Sequence, residues 1–166
     1  MTTAPALDRI PLRRAEFGIA AALPGGRHLR IHHIIGIGRN YAEHAGETGS
    51  AVPDRPMIFT KSPASAILAG DAITIPKICA DQEQVDYEGE LAVIIGRAAR
   101  DVTEADAADP DSGIILGYCC ANDVSARWWQ RTGSGGQFCR GKSFDTFCPL
   151  GPFITPARAV ADLGGP

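Results

Sequence analysis

Two glutamates, Glu88 and Glu90, stand on either side of Gly89 at the start of an apolar run that extends to Gly96. The run is rich in Val, Ile and Leu, which predicts a strand. Because strand side chains alternate, residues 88 and 90 are expected on the same face. Two adjacent carboxylates repel each other and are costly to bury unpaired, whereas a divalent cation prefers such hard oxygen ligands. A solvent-facing pair is the ordinary alternative, but apolar residues on both faces predict a strand buried on both sides.

Three further side chains could take part in chemistry with this pair. His44 and Glu47 are three residues apart in a predicted helix, where the carboxylate could orient the imidazole to activate a water molecule. A charged, exposed helix face explains that spacing equally well. Asp123 follows a predicted strand and precedes a helical turn. That is a common place for an active-site carboxylate and also for a helix cap.

A lysine, Lys142, lies in a segment that matches a phosphate-binding loop. Residues 136–143 fit the pattern G-x-x-x-x-G-K-[ST]. The motif requires a buried strand before it and a helix after it. Here residues 131–135 are a Gly- and Ser-containing loop, and Pro149 prevents a long helix from following. We therefore expect the match to be accidental, with nucleotide binding kept as an alternative.

The elements that must position these residues are short and mostly extended. Asn40 and Thr103 are suited to cap helices, and the Gly70–Asp71 pair predicts a turn. The pattern predicts strands over 31–38, 57–61, 72–76, 85–96 and 114–121, helices over 40–47 and 103–108, and a helical turn over 125–130. Many short strands with few helices indicate a β-rich α+β fold.

Composition restricts the class of protein. The 166 residues suffice for one domain with a core, and 45% hydrophobic with 21% charged residues is typical of a globular protein. A net charge of −3 gives no basic surface for nucleic acid or for a membrane. No signal peptide is predicted, so we expect a cytoplasmic location. The five cysteines form no Cys-x-x-Cys pair, which predicts free thiols.

Taken together, these motifs resemble those of the fumarylacetoacetate hydrolase family. The matching segments are residues 36–47, 86–94, 122–127 and 140–152. Their order and spacing agree with the family over about residues 31–160. Each motif is weak alone, but four in register are specific.

The resemblance implies a metal site and a chemistry. Glu88, Glu90 and Asp123 would hold Mg²⁺ or Mn²⁺, and a 2-oxo acid or 1,3-diketone would chelate the ion. The implied reaction is hydrolysis of a C–C bond in acylpyruvates or other 2,4-dioxo acids through a metal-bound enolate. The alternatives are an oxaloacetate decarboxylase or a 2-oxo-dienoate isomerase on the same site, or a catalytically incomplete fragment that still binds metal.

The resemblance also implies roles for the other side chains. His44, oriented by Glu47, would activate water, and Lys142 would polarise a carbonyl and stabilise the enolate. The implied substrate-contacting residues are Arg127, Gln130 and Lys61. The expected partners are a small 2-oxo or 2,4-dioxo acid and a second copy of the chain in a homodimer, with no nucleic acid or membrane.

The resemblance finally implies a mixed β-sheet roll or barrel, with residues 1–30 as a short lead-in and residues 31–166 as a partial catalytic domain. The sequence departs from the family at Ile37, where some members have an additional metal aspartate, and at Trp128, where Asp is frequent. The sequence ends at Pro166, whereas family members continue with more strands. We therefore expect an incomplete sheet with exposed edges and apolar surface.

Overall fold

The structure is a computed structural model, and it describes residues 9–16, 18–41, 53–80 and 84–160. The strands are β1 (Ile10–Arg14), β2 (Ile19–Ala22), β3 (His28–Arg30), β4 (Ile34–Gly38), β5 (Met57–Lys61), β6 (Ala66–Leu68), β7 (Val85–Asp86), β8 (Gly89–Ile95), β9 (Ile115–Asn122), β10 (Ser125–Ala126), β11 (Cys148–Leu150) and β12 (Phe153–Pro156). The α-helices are α1 (Glu104–Ala108), α2 (Arg127–Arg131) and α3 (Phe138–Lys142), and short 3₁₀ turns span Pro24–Gly26, Pro63–Ser65, Lys77–Cys79 and Ala157–Ala159.

An eight-stranded mixed sheet organises the chain. Its strand order is β3-β2-β1-β12-β9-β11-β6, and β8 is added through β9. All of its pairs are antiparallel except β11 with β6. Two small antiparallel sheets accompany it, one of β4 with β5 and one of β7 with β10. The predicted β-rich α+β class is confirmed.

The core lies in two clusters. The larger one is built on the eight-stranded sheet from Leu12, Ile19, Ala21, Ala66, Cys119, Cys148, Leu150 and Ile154. The smaller one consists of Cys79, Val124, Ala126 and Phe147. Val124 and Ala126 alternate along the chain with Asp123 and Ser125, so the smaller cluster fixes the backbone of a candidate site segment. Cys119, Cys120, Cys139 and Cys148 are free thiols, as the sequence predicts.

The prediction that residues 85–96 form one strand buried on both faces is wrong in two respects. The strand is interrupted at Tyr87 and Glu88, between β7 and β8. One face of β8 is exposed, with Leu91, Val93 and Ile95 about half accessible. Within the described residues, β9 is the only strand that pairs with β8. Apolar surface is therefore exposed as the resemblance implies.

The other predicted elements have mixed outcomes. The strand at Met57–Lys61 and the helix after Thr103 are confirmed, and Thr103 forms a capping box with Asp106. The strand expected over 72–76 is not formed, because the Thr74 N–H donates to the Thr146 hydroxyl at 2.8 Å rather than to a neighbouring strand. The helix expected over 40–47 lies largely outside the described residues. No helix in the described ranges is long and apolar enough to cross a membrane.

Candidate active site

Backbone contacts hold Glu88 and Asp123 side by side. The Glu88 N–H donates to Oδ1 of Asn122 at 3.1 Å, and the Asp123 N–H donates to the Glu88 carbonyl at 2.9 Å. These bonds satisfy the backbone where β7 and β8 are interrupted, which explains why the strand breaks at this point. The two carboxylates that the sequence separates by more than thirty positions are therefore adjacent.

The ammonium of Lys142 lies between the two carboxylates. Its Nζ donates to Glu88 Oε2 at 2.8 Å, to Asp123 Oδ2 at 2.5 Å and to Ser125 Oγ at 2.7 Å. Only 2% of the lysine is exposed, so all three donors of a buried ammonium are satisfied. The ring of Phe59 lies 5.1 Å from Nζ and adds a cation–π contact.

A close approach of two helices brings Lys142 to this position. A Cβ atom on Gly141 would lie 2.4 Å from the Gln130 nitrogen and 2.8 Å from the Ala126 carbonyl oxygen. Only glycine therefore allows α3 to approach α2 this closely. Lys142 is the last residue of α3, and residues 132–136 form turns rather than a strand. This geometry does not support the phosphate-loop interpretation of residues 136–143.

A second ammonium, that of Lys61, binds the other oxygen of Asp123. Its Nζ lies 2.5 Å from Oδ1 and 3.2 Å from the Val124 carbonyl oxygen. Burial lowers the pKa of Lys61, and the Asp123 carboxylate opposes part of that effect. Asp123 thus has a lysine on each carboxylate oxygen, and Lys61 contacts a predicted metal ligand.

A guanidinium, that of Arg127, completes the ring of cations. Its Nη1 donates to Glu88 Oε1 and, at 3.2 Å, to Gln130 Oε1, while Nη2 lies 2.7 Å from Asp86. Burial alone would raise the pKa of Glu88, but its bonds with Lys142 and Arg127 outweigh burial and hold that pKa below its usual value. Glu88 is therefore ionised at neutral pH.

Glu90 differs from the other two carboxylates. It lies on β8 opposite Ala121 and forms no ion pair with a described residue. Burial is the largest cause of the raised pKa of Glu90, and the negative charges of Glu88 and Asp123 raise that pKa further. A hydrogen bond with Tyr41 opposes the shift. Glu90 is thus close enough to both other carboxylates to be repelled by them.

The three carboxylates have the donor chemistry of a site for a hard divalent cation. All their ligand atoms would be oxygen, which suits Mg²⁺ or Mn²⁺, and Glu90 in particular has no counter-ion among the residues that the structure describes. As they stand, no three His, Cys, Asp or Glu side chains of the described residues form a metal cage. The Lys142 ammonium instead joins Glu88 to Asp123. The residues fit the ion in charge and ligand type, and Glu88, Glu90 and Asp123 are the ones that could hold it.

The structure therefore brings together seven of the nine predicted site residues: Lys61, Glu88, Glu90, Asp123, Arg127, Gln130 and Lys142. His44 and Glu47 lie outside the described residues. Sequence reasoning missed Ser125, Asp86 and Tyr41. Ser125 and Asp86 each stand two residues from a predicted metal ligand, a spacing that could have indicated them in extended chain.

Comparison with known proteins identifies the family of this chain. Residues 33–165 match the family model described as fumarylacetoacetate (FAA) hydrolase C-terminal. An uncharacterized protein of Archaeoglobus fulgidus is 47% identical over 131 residues, 79% of this chain and 49% of its own length. The mitochondrial oxaloacetate tautomerase fahd2 of Xenopus laevis is 43% identical over 129 residues, 78% of this chain and 38% of its own length.

A solved structure shows the same fold. The 5-carboxymethyl-2-hydroxymuconate delta-isomerase of Mycobacterium smegmatis superposes with a TM-score of 0.65 at 38% identity, over 93% of this chain and 62% of that one. The chain spans about half the length, or less, of the curated relatives described above. The family match covers most of the chain, and the superposition on a solved structure agrees with it. The chain therefore belongs to the fumarylacetoacetate hydrolase family.

Proposed function

We propose that this chain carries the active site of a divalent-metal-dependent hydrolase that cleaves a C–C bond of acylpyruvates or other 2,4-dioxo acids. The observation that carries the proposal is the buried Lys142 ammonium, within 2.5 to 2.8 Å of Glu88, Asp123 and Ser125. An ammonium at this position can donate to an oxygen that becomes negative during the reaction.

The reaction class follows from the charge that has to be stabilised. Water adds to the outer carbonyl carbon, the bond between that carbon and the neighbouring methylene carbon breaks, and the electron pair remains on the pyruvate part as an enolate. Mg²⁺ or Mn²⁺ would act as a Lewis acid on the substrate oxygens. With Glu88 and Asp123 turned to the cation, the Lys142 ammonium would have N–H donors free for the enolate oxygen, which lowers the energy of that anion.

The remaining side chains have supporting roles in this proposal. Arg127 and Gln130 stand together next to Glu88 and would bind the substrate carboxylate, because a guanidinium fork suits a carboxylate. Lys61 would orient Asp123 through its bond to Oδ1. His44, oriented by Glu47, would accept the proton of the attacking water, a role that rests on the sequence motif alone.

Isomerisation is a second candidate on the same site. It needs the same stabilised enolate but no attacking water. The printed names of two relatives, an oxaloacetate tautomerase and a 5-carboxymethyl-2-hydroxymuconate delta-isomerase, favour it. Oxaloacetate decarboxylation also proceeds through such an enolate. Comparing turnover of acetylpyruvate with enolisation and decarboxylation of oxaloacetate would separate the three.

The test of the first proposal is an acetylpyruvate hydrolysis assay. Protein stripped with a chelator should be inactive and should regain turnover with Mg²⁺. Glu88→Gln should lose at least about a hundredfold in turnover, because a cation and an ammonium both depend on that carboxylate. Glu104→Gln on the exposed helix α1 is the matched control and should retain full activity. Equal turnover by Glu88→Gln and wild type would refute the proposal.

A metal-binding chain without turnover is the remaining alternative. The chain spans 49% and 38% of the length of two curated relatives, which favours this alternative, whereas the exposed apolar face of β8, with Leu91, Val93 and Ile95, lies on the opposite side of the strand from Glu90. Mg²⁺ binding in calorimetry without conversion of any 2-oxo acid would support it. Turnover by the isolated chain would exclude it.

We also propose that two copies of the chain associate, as the family resemblance implies. The same exposed face of β8 supports association, because apolar surface of this kind is frequent in interfaces. Light scattering at several concentrations tests this. A dimer mass is expected for wild type, and a monomer mass at every concentration would contradict it.

A further inference from the structure

Arg127 has a second anionic partner that lies outside the carboxylate triad. Its Nε and Nη2 both donate to Oδ2 of Asp86, at 3.2 and 2.7 Å, while Nη1 donates to Glu88 and Gln130. A guanidinium carries five N–H donors in a rigid plane. These contacts leave one N–H of Nη2 without an acceptor among the described residues. That donor is available to a bound carboxylate.

The backbone fixes Asp86 opposite this guanidinium. Asp86 pairs with Ser125 in the short ladder of β7 and β10, and Val85 pairs with Ala126. The Arg127 N–H then donates to the Gln84 carbonyl at 2.8 Å, which continues the pairing for one more residue. Main-chain hydrogen bonds therefore hold Asp86 at a fixed position relative to Arg127. The Asp86 carboxylate can contact the guanidinium without the entropic cost of ordering a flexible loop.

We propose that Asp86 is a positioning residue that keeps the Arg127 guanidinium oriented toward the substrate carboxylate. The inference rests on the proposed function. If Glu88 turns to a divalent cation, Arg127 loses one of its two anionic partners. Asp86 remains as the anion that fixes the plane of the Arg127 guanidinium. The free N–H of Nη2 therefore keeps its direction toward the substrate carboxylate when the cation is bound.

A plain surface ion pair is the competing explanation, because the Asp86 side chain is half exposed and such pairs contribute little. The chain provides a matched control for it. Asp71 binds Arg14 at the same distance of 2.7 Å and also accepts a backbone N–H, that of Leu68. Asp86 accepts the Tyr87 N–H in the same manner. Asp71 is paired with none of the site residues that the structure describes.

The test compares Asp86→Asn, Asp86→Glu and Asp71→Asn with wild type. Oxalate is the probe, because it offers a carboxylate beside a chelating oxygen but has no bond that the proposed reaction would cleave. The two tryptophans of the chain, Trp128 and Trp129, directly follow Arg127. Their fluorescence reports oxalate binding next to the guanidinium in the presence of Mg²⁺. Mg²⁺ binding without oxalate and the steady-state constants for acetylpyruvate are measured in parallel.

Asp86→Asn should weaken oxalate binding and raise KM about fivefold, the upper range for an exposed pair, with kcat and Mg²⁺ binding unchanged. Asp86→Glu should recover part of the affinity, and Asp71→Asn should behave as wild type. Wild-type oxalate affinity in Asp86→Asn, an equal loss of affinity in Asp71→Asn, or a parallel loss of Mg²⁺ binding would overturn the inference.

If wild type shows no turnover but the oxalate affinities follow this order, the hydrolase proposal fails and the role of Asp86 stands. If wild type hydrolyses acetylpyruvate but KM is unchanged in Asp86→Asn and oxalate does not bind, the role of Asp86 fails and the hydrolase proposal stands.

Discussion

Replacing Lys142 by methionine tests the charge arrangement on which the site depends. Methionine has a similar length and fits beside Phe59, so the change removes the ammonium with little loss of packing. Glu88 and Asp123 would lose their common partner, and the Ser125 hydroxyl would lose one bond. Removing one member of a fully buried ion pair costs about 3–5 kcal/mol, whereas an exposed pair contributes about 1 kcal/mol or less.

The expected cost lies between these limits. The Glu88 and Asp123 side chains are 25% and 13% exposed, and Arg127 and Lys61 remain as counter-ions. We therefore expect a loss of about 2 kcal/mol in the free energy of unfolding. For a chain of this length, that corresponds to a fall of about 6 °C in Tm.

Thermal unfolding with and without Mg²⁺ is the assay. The ammonium and the cation compete for the same carboxylate oxygens, so Mg²⁺ should raise the Tm of Lys142→Met more than that of wild type. Lys77→Met, in an exposed 3₁₀ turn, is the control and should unfold like wild type in both conditions. The reasoning is refuted if Lys142→Met keeps the wild-type Tm, or if Mg²⁺ shifts both proteins equally.

Three further predictions concern residues around the site and on helix α1. Gly141→Ala should lower stability by about 1–3 kcal/mol, because the new methyl group would lie 2.4 Å from the Gln130 nitrogen; urea unfolding measures this, and an unchanged midpoint would contradict the close approach of α2 and α3. Glu90→Gln should stabilise the metal-free protein at pH 7. The raised pKa of Glu90 means that the folded state binds its proton more tightly than the unfolded state, so stability falls as pH rises from the unfolded value through the folded one; the variant should lack this part of the pH dependence, and an identical profile would exclude the repulsion. Thr103→Ala should cost about 1 kcal/mol in urea unfolding through loss of the capping box, and Arg100→Ala, at an exposed position nearby, serves as its control.

Local signals predicted local structure well. Thr103 caps its helix because the cap needs only Asp106, three residues away. Met57–Lys61 forms a strand, as its β-branched and aromatic residues indicate. The convergence of Glu88 and Asp123, and the cations around them, were predicted only through the family resemblance, since no local pattern relates residues 88 and 123.

The failures arise where a distant group changes a local preference. The sequence of residues 85–96 predicts one strand, but the Glu88 N–H donates to the side chain of Asn122 and the strand is interrupted there. Thr74 lies in a segment with strand composition, but its N–H goes to the Thr146 hydroxyl. The pairing of Lys142 with Glu88 joins residues 54 positions apart, and it depends on the glycine that lets two short helices approach. Such contacts between residues distant in sequence form only in the folded chain, so local sequence patterns do not predict them.

The most direct measurement of the central claim is an anomalous difference map from crystals grown with Mn²⁺. We predict a single strong peak within coordination distance of carboxylate oxygens from Glu88, Glu90 and Asp123, with the Lys142 ammonium displaced from between Glu88 and Asp123. A map with no peak at these three side chains, and with Lys142 still joining Glu88 to Asp123, would contradict the claim.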